Sequence, residues 1–175
     1  MKVKGFMRGL LIAAAFVLIA APADAQKRKE RKVLFGSSYN YEVTTIGVGQ
    51  DGTKAVKVWG YGKKVDQAVV QAKNNAVAAA IFRGYPGSAS ANATPALMKD
   101  PNAEENNIEY FEDFFETGGK YLKFVNLTTD GVPAGQDRLK VKGGYKVAIY
   151  VQVMYDNLRK QLEADGVIKK LGSGF

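Results

Sequence analysis

The stretch from Val65 to Arg83 constrains this chain more than any other. Val65, Ala68, Val69, Ala72, Ala76, Ala79, Ala80 and Arg83 recur at spacings of three and four, with Asp66, Gln67, Gln71, Lys73, Asn74 and Asn75 between them. That period belongs to a helix with one apolar face. The apolar stripe is mostly alanine, so the helix can lie close against a sheet. Asp66 in its first turn and Arg83 in its last suit the helix dipole. Gly84 is placed to end it, because glycine accepts the left-handed conformation past a helix terminus. Pro86 blocks continuation.

The segments around this helix read as strands. Tyr41 to Val48, YEVTTIGV, is rich in β-branched and aromatic residues. Thr53 to Tyr61, TKAVKVWGY, alternates, and Gly49-Gln50-Asp51-Gly52 between the two has turn chemistry. Together they predict a hairpin. Further on, Ile108 to Glu116 predicts a short helix with Phe111, Phe114 and Phe115 on one side. Tyr121 to Thr128 reads as a strand, Arg138 to Val141 as a short strand, and Tyr145 to Met154 as the strongest strand of all. A last helix follows to Ala164, with Asp156 expected to cap its start and Leu158, Leu162 and Ile168 to face inward. Lys169 to Phe175 reads as a frayed tail. Helices separated by runs of hairpin-connected strands predict an α+β fold. The expectation is a mostly antiparallel sheet with the long Ala-rich helix and the C-terminal helix packed on one face.

Gly87 to Asn107, GSASANATPALMKDPNAEENN, interrupts this pattern and carries Pro95 and Pro101. A loop of this length is either functional or disordered, and it is an expected contact surface. A turn around Ala96, Leu97 and Met98 can tack it down.

The first 25 residues have the pattern of a secretory signal. Lys2, Lys4 and Arg8 precede the apolar run Leu10 to Ala21, and Ala23-Asp24-Ala25 forms an A-x-A site. The run is too short to cross a bilayer, and no later segment is long and apolar enough to span one. The expected organisation is a signal peptide over residues 1–25, a basic N-terminal arm over 26–40, and one α+β domain over 41–175. The whole chain carries +8; the leader accounts for +2 of it, leaving about +6, part of it in Gln26 to Lys32, QKRKERK. Such a block is usually a solvated arm. Export argues against nucleic acid as a partner. Envelope proteins are the expected partners, with acidic glycan or lipid headgroups as a further possibility because long-range attraction needs only charge. The chain has no cysteine, which removes disulfides and the acceptor for a bacterial lipid anchor. The expected location is periplasmic or at the surface of a Gram-negative type envelope.

Histidine is absent as well. The usual general base, thiol nucleophile and transition-metal ligands are therefore missing. The nearest group of carboxylates is Glu109, Glu112, Asp113 and Glu116. A carboxylate pair can divide acid and base roles, which keeps a carboxylate-dependent hydrolase built on Glu112 and Asp113 as an alternative. The same residues also complete the solvated face of an amphipathic helix. Glu104, Glu105 and Asp130 could meet calcium, but no D-x-D-x-D-G loop exists. Gly60 and Gly62 form G-x-G before a helix, without the third glycine of a dinucleotide site or the G-K-[ST] of a P-loop. They are expected to let the chain turn from strand to helix. No catalytic, cofactor or metal residue is assigned. The candidate contact residues are the aromatics near strand ends and turns: Tyr39, Tyr41, Trp59, Tyr61 and Tyr85.

The segment Val56 to Gly84, VKVWGYGKKVDQAVVQAKNNAVAAAIFRG, with Ala68, Ala72 and Ala76 spaced by four, resembles a module of exported bacterial proteins. Val147 to Leu162, VAIYVQVMYDNLRKQL, is similar to the end of the same module. Together they resemble LPP-type small lipoproteins and the N-terminal domain of the flagellar assembly protein T. That resemblance covers about half of the chain after the leader. It implies an α+β domain that works by protein contact in the envelope, with no enzyme activity and no functional residues to carry over. The lipobox cysteine is missing, and the insertion from Gly87 to Asn107 is long. The expected function is a non-enzymatic interaction or assembly module; a binding domain for acidic glycan or lipid is the second expectation.

Overall fold

The computed structural model describes residues 42–170. Residues 1–41, which include the expected leader, the expected basic arm, Tyr39 and Tyr41, and the last five residues lie outside the described residues. Five strands form one antiparallel sheet: β1 (Val43–Val48), β2 (Thr53–Gly62), β3 (Val125–Leu127), β4 (Arg138–Val141) and β5 (Gly144–Met154). β2 lies between β1 and β5. It pairs with β5 along ten residues, from Thr53 opposite Met154 to Gly62 opposite Tyr145. The other edge of β5 is shared by β3 and β4. The helices are α1 (Val65–Phe82), α2 (Ala103–Asn106), α3 (Ile108–Phe115) and α4 (Tyr155–Ala164). The fold is α+β.

The hairpin of β1 and β2 closes as its turn residues dictate. Asp51 and Gly52 both have positive φ, 56° and 71°, the conformation that Asp-Gly turns supply between twisted strands. Between Thr45 and Gly47 the register shifts.

Alternation along the central strands divides the sheet. Val56, Val58 and Gly60 of β2 and Val147, Ile149, Val151 and Val153 of β5 are buried together. α1 covers this face with Ala68, Ala72 and Ala76, all fully buried. Alanine on the helix and glycine on the strand let the two backbones approach. A Cβ on Gly60 would stand 2.3 Å from the Ala68 carbonyl oxygen and 2.4 Å from the Ala72 nitrogen. A Cβ on Gly62 would stand 2.5 Å from the Ala68 nitrogen. The strand continues through both glycines, so they serve the close packing of α1; the strand-to-helix turn falls after them, at Lys63 and Lys64. Asn75, buried on the same helix, donates to the Trp59 carbonyl oxygen at 2.9 Å and accepts from Gln71, so both ends of its amide are bonded.

α1 ends as its sequence requires. Gly84 takes φ +77°, and its amide bonds the Ala79 carbonyl at 2.7 Å. The segment after it is partly fixed, in part by the expected turn around Ala96, Leu97 and Met98. Tyr85 and Thr94 bridge through both backbone bonds, and the amides of Leu97 and Met98 bond the carbonyls of Ala80 and Ile81 at 3.0 and 2.9 Å. Those carbonyls belong to the last turn of α1, which has no partners of its own. Thr94, Leu97 and Met98 are buried as a result.

Two local expectations are corrected. Tyr121 to Thr128 is not one strand: Lys120–Phe124 is a 3-10 turn, and β3 covers only Val125–Leu127. Tyr121 and Phe124, three apart, share one side of that turn and are both buried. Tyr121 packs 5.8 Å from Phe115 and Phe124 5.9 Å from Phe114, ring to ring. An alternating strand would have pointed them to opposite faces. Asp156 does not cap α4, whose cap is Met154, two residues earlier, with no side-chain bond there. Leu158 and Leu162 are buried, whereas Ile168 is only half-buried. No helix among the described residues is long and apolar enough to cross a membrane.

Candidate functional site

With α1 on one face of the sheet, the alternate residues of β2 and β5 point the other way. Register sets Lys57 opposite Tyr150, Trp59 opposite Ala148 and Tyr61 opposite Lys146. The Trp59 amide bonds the Glu42 carbonyl at 3.0 Å, which brings Glu42 beside Trp59 just before β1. Asp137 reaches Lys57 from the 3-10 turn ahead of β4. Rings and cations therefore alternate across this open face.

Each cation is held by rings and by a carboxylate. Lys146 Nζ donates to both Glu42 oxygens, at 2.7 and 2.6 Å, and lies 4.8 Å from the Trp59 ring and 5.5 Å from the Tyr61 ring. The Tyr61 hydroxyl donates to the same carboxylate at 3.0 Å. Lys57 Nζ lies 2.6 Å from an Asp137 oxygen, 5.4 Å from the Trp59 ring and 5.2 Å from the Tyr150 ring. An ammonium over a ring is worth about 0.5–1 kcal/mol at an exposed site. Ala148 stands on this face yet is 1 % exposed, because larger side chains close around it.

These contacts fix protonation as well as position. The hydrogen bond from Lys146 holds the Glu42 carboxyl below its usual value, and the same bond raises the Lys146 ammonium. The bond to Asp137 raises Lys57. Shifted in these directions, all three groups stay charged across neutral pH. The four charges cancel. What remains is a surface of exposed and half-buried rings whose four charges pair off.

Of the five candidate aromatics, the structure brings Trp59 and Tyr61 together on this face. Tyr85 is elsewhere: it is 2 % exposed, and its hydroxyl donates to the Ala76 carbonyl at 2.7 Å. Burial pushes its phenol well above the usual value. Its expected role as a contact residue is therefore corrected; it anchors the exit from α1. Tyr39 and Tyr41 lie outside the described residues. Sequence reasoning missed Lys57, Lys146, Tyr150, Glu42 and Asp137. Alternation in β5 could have put Lys146 and Tyr150 on one face, but nothing local pairs them with β2.

The acidic group on α3 is spread along a surface. Glu109, Asp113 and Glu116 are exposed and Glu112 is half-buried, while Phe111, Phe114 and Phe115 fill the buried side. Among the described residues, no group of three or more acidic side chains is arranged to hold a metal ion.

The architecture defines a small α+β domain with one sheet face covered by a helix and the other displaying rings and paired charges. No protein-family model, curated protein or solved structure matches this chain. The resemblance to envelope modules rests on Val56 to Gly84 and Val147 to Leu162 alone.

Proposed function

We propose that the protein is a non-enzymatic interaction module of a bacterial envelope, exported by its leader, which docks a protein partner on the open sheet face around Trp59. The observation that carries this reading is the pairing of Lys57 with Asp137 and of Lys146 with Glu42 beneath exposed and half-buried rings. A face meant for an acidic polymer would leave its cations unpaired. A face with internally cancelled charge and fixed aromatic side chains offers a partner contact area at low entropic cost, as the aromatic anchors of protein interfaces do. The lack of histidine and cysteine in the chain and the locked charge states of the face add to it.

A photo-crosslinking residue in place of Tyr61, which is 50 % exposed, tests the proposal in cells that make the protein natively. Position 132, a valine 63 % exposed in the segment between β3 and β4, serves as control. The expected outcome is one discrete protein adduct from position 61, absent at position 132 and lost when Trp59→Ala is added. Equal adducts from both positions, or an adduct indifferent to Trp59→Ala, would overturn the proposal.

A further inference from the structure

A separate cleft of about 390 Å³ opens where the start of β2, the loop after α1 and the first turns of α4 meet. Lys54 comes from β2, Asn92 and Pro95 from the loop, Tyr155 and Arg159 from α4. Tyr155 fixes its floor. The side chain is 5 % exposed, and its hydroxyl donates to the Pro95 carbonyl at 2.7 Å. Two cations stand at that one ring: Lys54 Nζ is 5.8 Å and Arg159 Cζ 5.7 Å from its centroid. Arg159 also reaches the Tyr155 hydroxyl at 3.5 Å.

The contrast with the open face is direct. Lys57 and Lys146 each have a carboxylate, whereas Lys54 and Arg159, both half-buried, make no ion pair among the described residues. The carboxylate that lines this cleft, Asp156, is turned onto Gly52, where its Oδ2 would stand 1.9 Å from an added Cβ. Two cations against one carboxylate leave the cleft positive. With both cations at one ring and neither in an ion pair among the described residues, an anion bound in the cleft supplies the missing countercharge.

We propose that this cleft binds a small organic anion, with one carboxylate or phosphate group between Lys54 and Arg159 and a hydroxylated body against Asn92 and Pro95. The guanidinium fork of Arg159 matches either oxyanion. The exposed Asn92 amide offers both a donor and an acceptor to hydroxyl groups. The volume suits a single sugar acid or sugar phosphate. This gives the loop after α1 a specific role: Leu97 and Met98 tie it to α1, Thr94 to Tyr85 and Pro95 to Tyr155, and residues 92 and 93 form the rim of the cleft.

Calorimetric titration of the full chain with glucuronate, glucose 6-phosphate, inorganic phosphate and glucose tests the proposal. Glucuronate or glucose 6-phosphate is expected to bind with a dissociation constant near or below about 1 mM, and glucose not to bind. Binding of the phosphates alone, or of glucuronate alone, assigns the head group. K54Q/R159Q removes two charge-assisted bonds and is expected to weaken binding at least tenfold per cation. N92D keeps both cations, adds a negative rim and is expected to weaken binding as well. A far-UV circular dichroism spectrum like the parent's and a cooperative melting transition confirm that each variant is folded. The proposal fails if no anion binds better than glucose, or if K54Q/R159Q binds as the parent does.

Discussion

Replacing Gly60 with alanine strikes the contact on which the two-faced sheet depends. The added methyl would stand 2.3 Å from the Ala68 carbonyl oxygen, 2.4 Å from the Ala72 nitrogen and 2.8 Å from the Ala72 Cα. All three are backbone atoms, so no side chain can swing aside. Ordinary contact begins near 3.4 Å; restoring it moves α1 about 1 Å off the sheet. A gap of that size forfeits roughly a quarter to a half of each dispersion contact it opens, beneath a row of fully buried valines and alanines. Overpacked cores lose about 1–3 kcal/mol and occasionally more. With two backbones meeting, the upper end is expected here, about 3 kcal/mol, even after up to about 1 kcal/mol is returned by the lower chain entropy of alanine. Urea unfolding followed by far-UV circular dichroism measures it. Gly47→Ala, where a Cβ would meet nothing within 4 Å, is the control and is expected within about 0.5 kcal/mol of the parent. A Gly60→Ala protein within about 1 kcal/mol of the parent would refute the close-approach argument.

Burial pushes the Glu104 carboxyl up to about 7 from 4.5. The unfolded chain releases that proton near 4.5 and the folded chain near 7, so stability should fall as pH rises between those values and level off above them. Glu104→Gln should remove this slope and stabilise the protein at pH 8 by about 1–3 kcal/mol; parallel urea midpoints for both proteins from pH 5 to 8 would contradict it. Glu42 has the opposite sign. Its carboxyl is held below 4.5 by the bond from Lys146, so its contribution is present above 4.5 and disappears as pH falls through the lowered value. The side chain is 38 % exposed, so Glu42→Gln should cost less than about 1 kcal/mol at neutral pH, and less still in high salt. A cost independent of salt would speak against the ion pair.

What the sequence revealed was local. The alanine period delivered α1 with its end at Gly84, and Asp51-Gly52 delivered the first turn. Trp59 and Tyr61 could be paired on one face because strand alternation is a property of neighbours. The partners that other segments supply could not. Lys146 meets Glu42 across 104 positions, and only the pairing of β2 with both the start of β1 and β5 brings them together. Tyr85 misled for a related reason: its place between Gly84 and Pro86 reads as a surface turn, yet its ring folds back under α1 to the Ala76 carbonyl. Gly60 and Gly62 carry a flexible-turn signal in sequence, whereas their use here is the absence of a side chain under a helix. The cleft at Tyr155 draws on three segments whose meeting no spacing announces.

Trp59 is the single tryptophan of the chain, and its ring lies in the open face. Its emission therefore reports directly on whether that face is occupied. Titrating the protein with the partner captured at position 61 should shift the Trp59 emission to shorter wavelength and shield it from acrylamide, in step with binding. A partner that saturates the protein and leaves the Trp59 spectrum and its quenching unchanged would show that recognition occurs elsewhere.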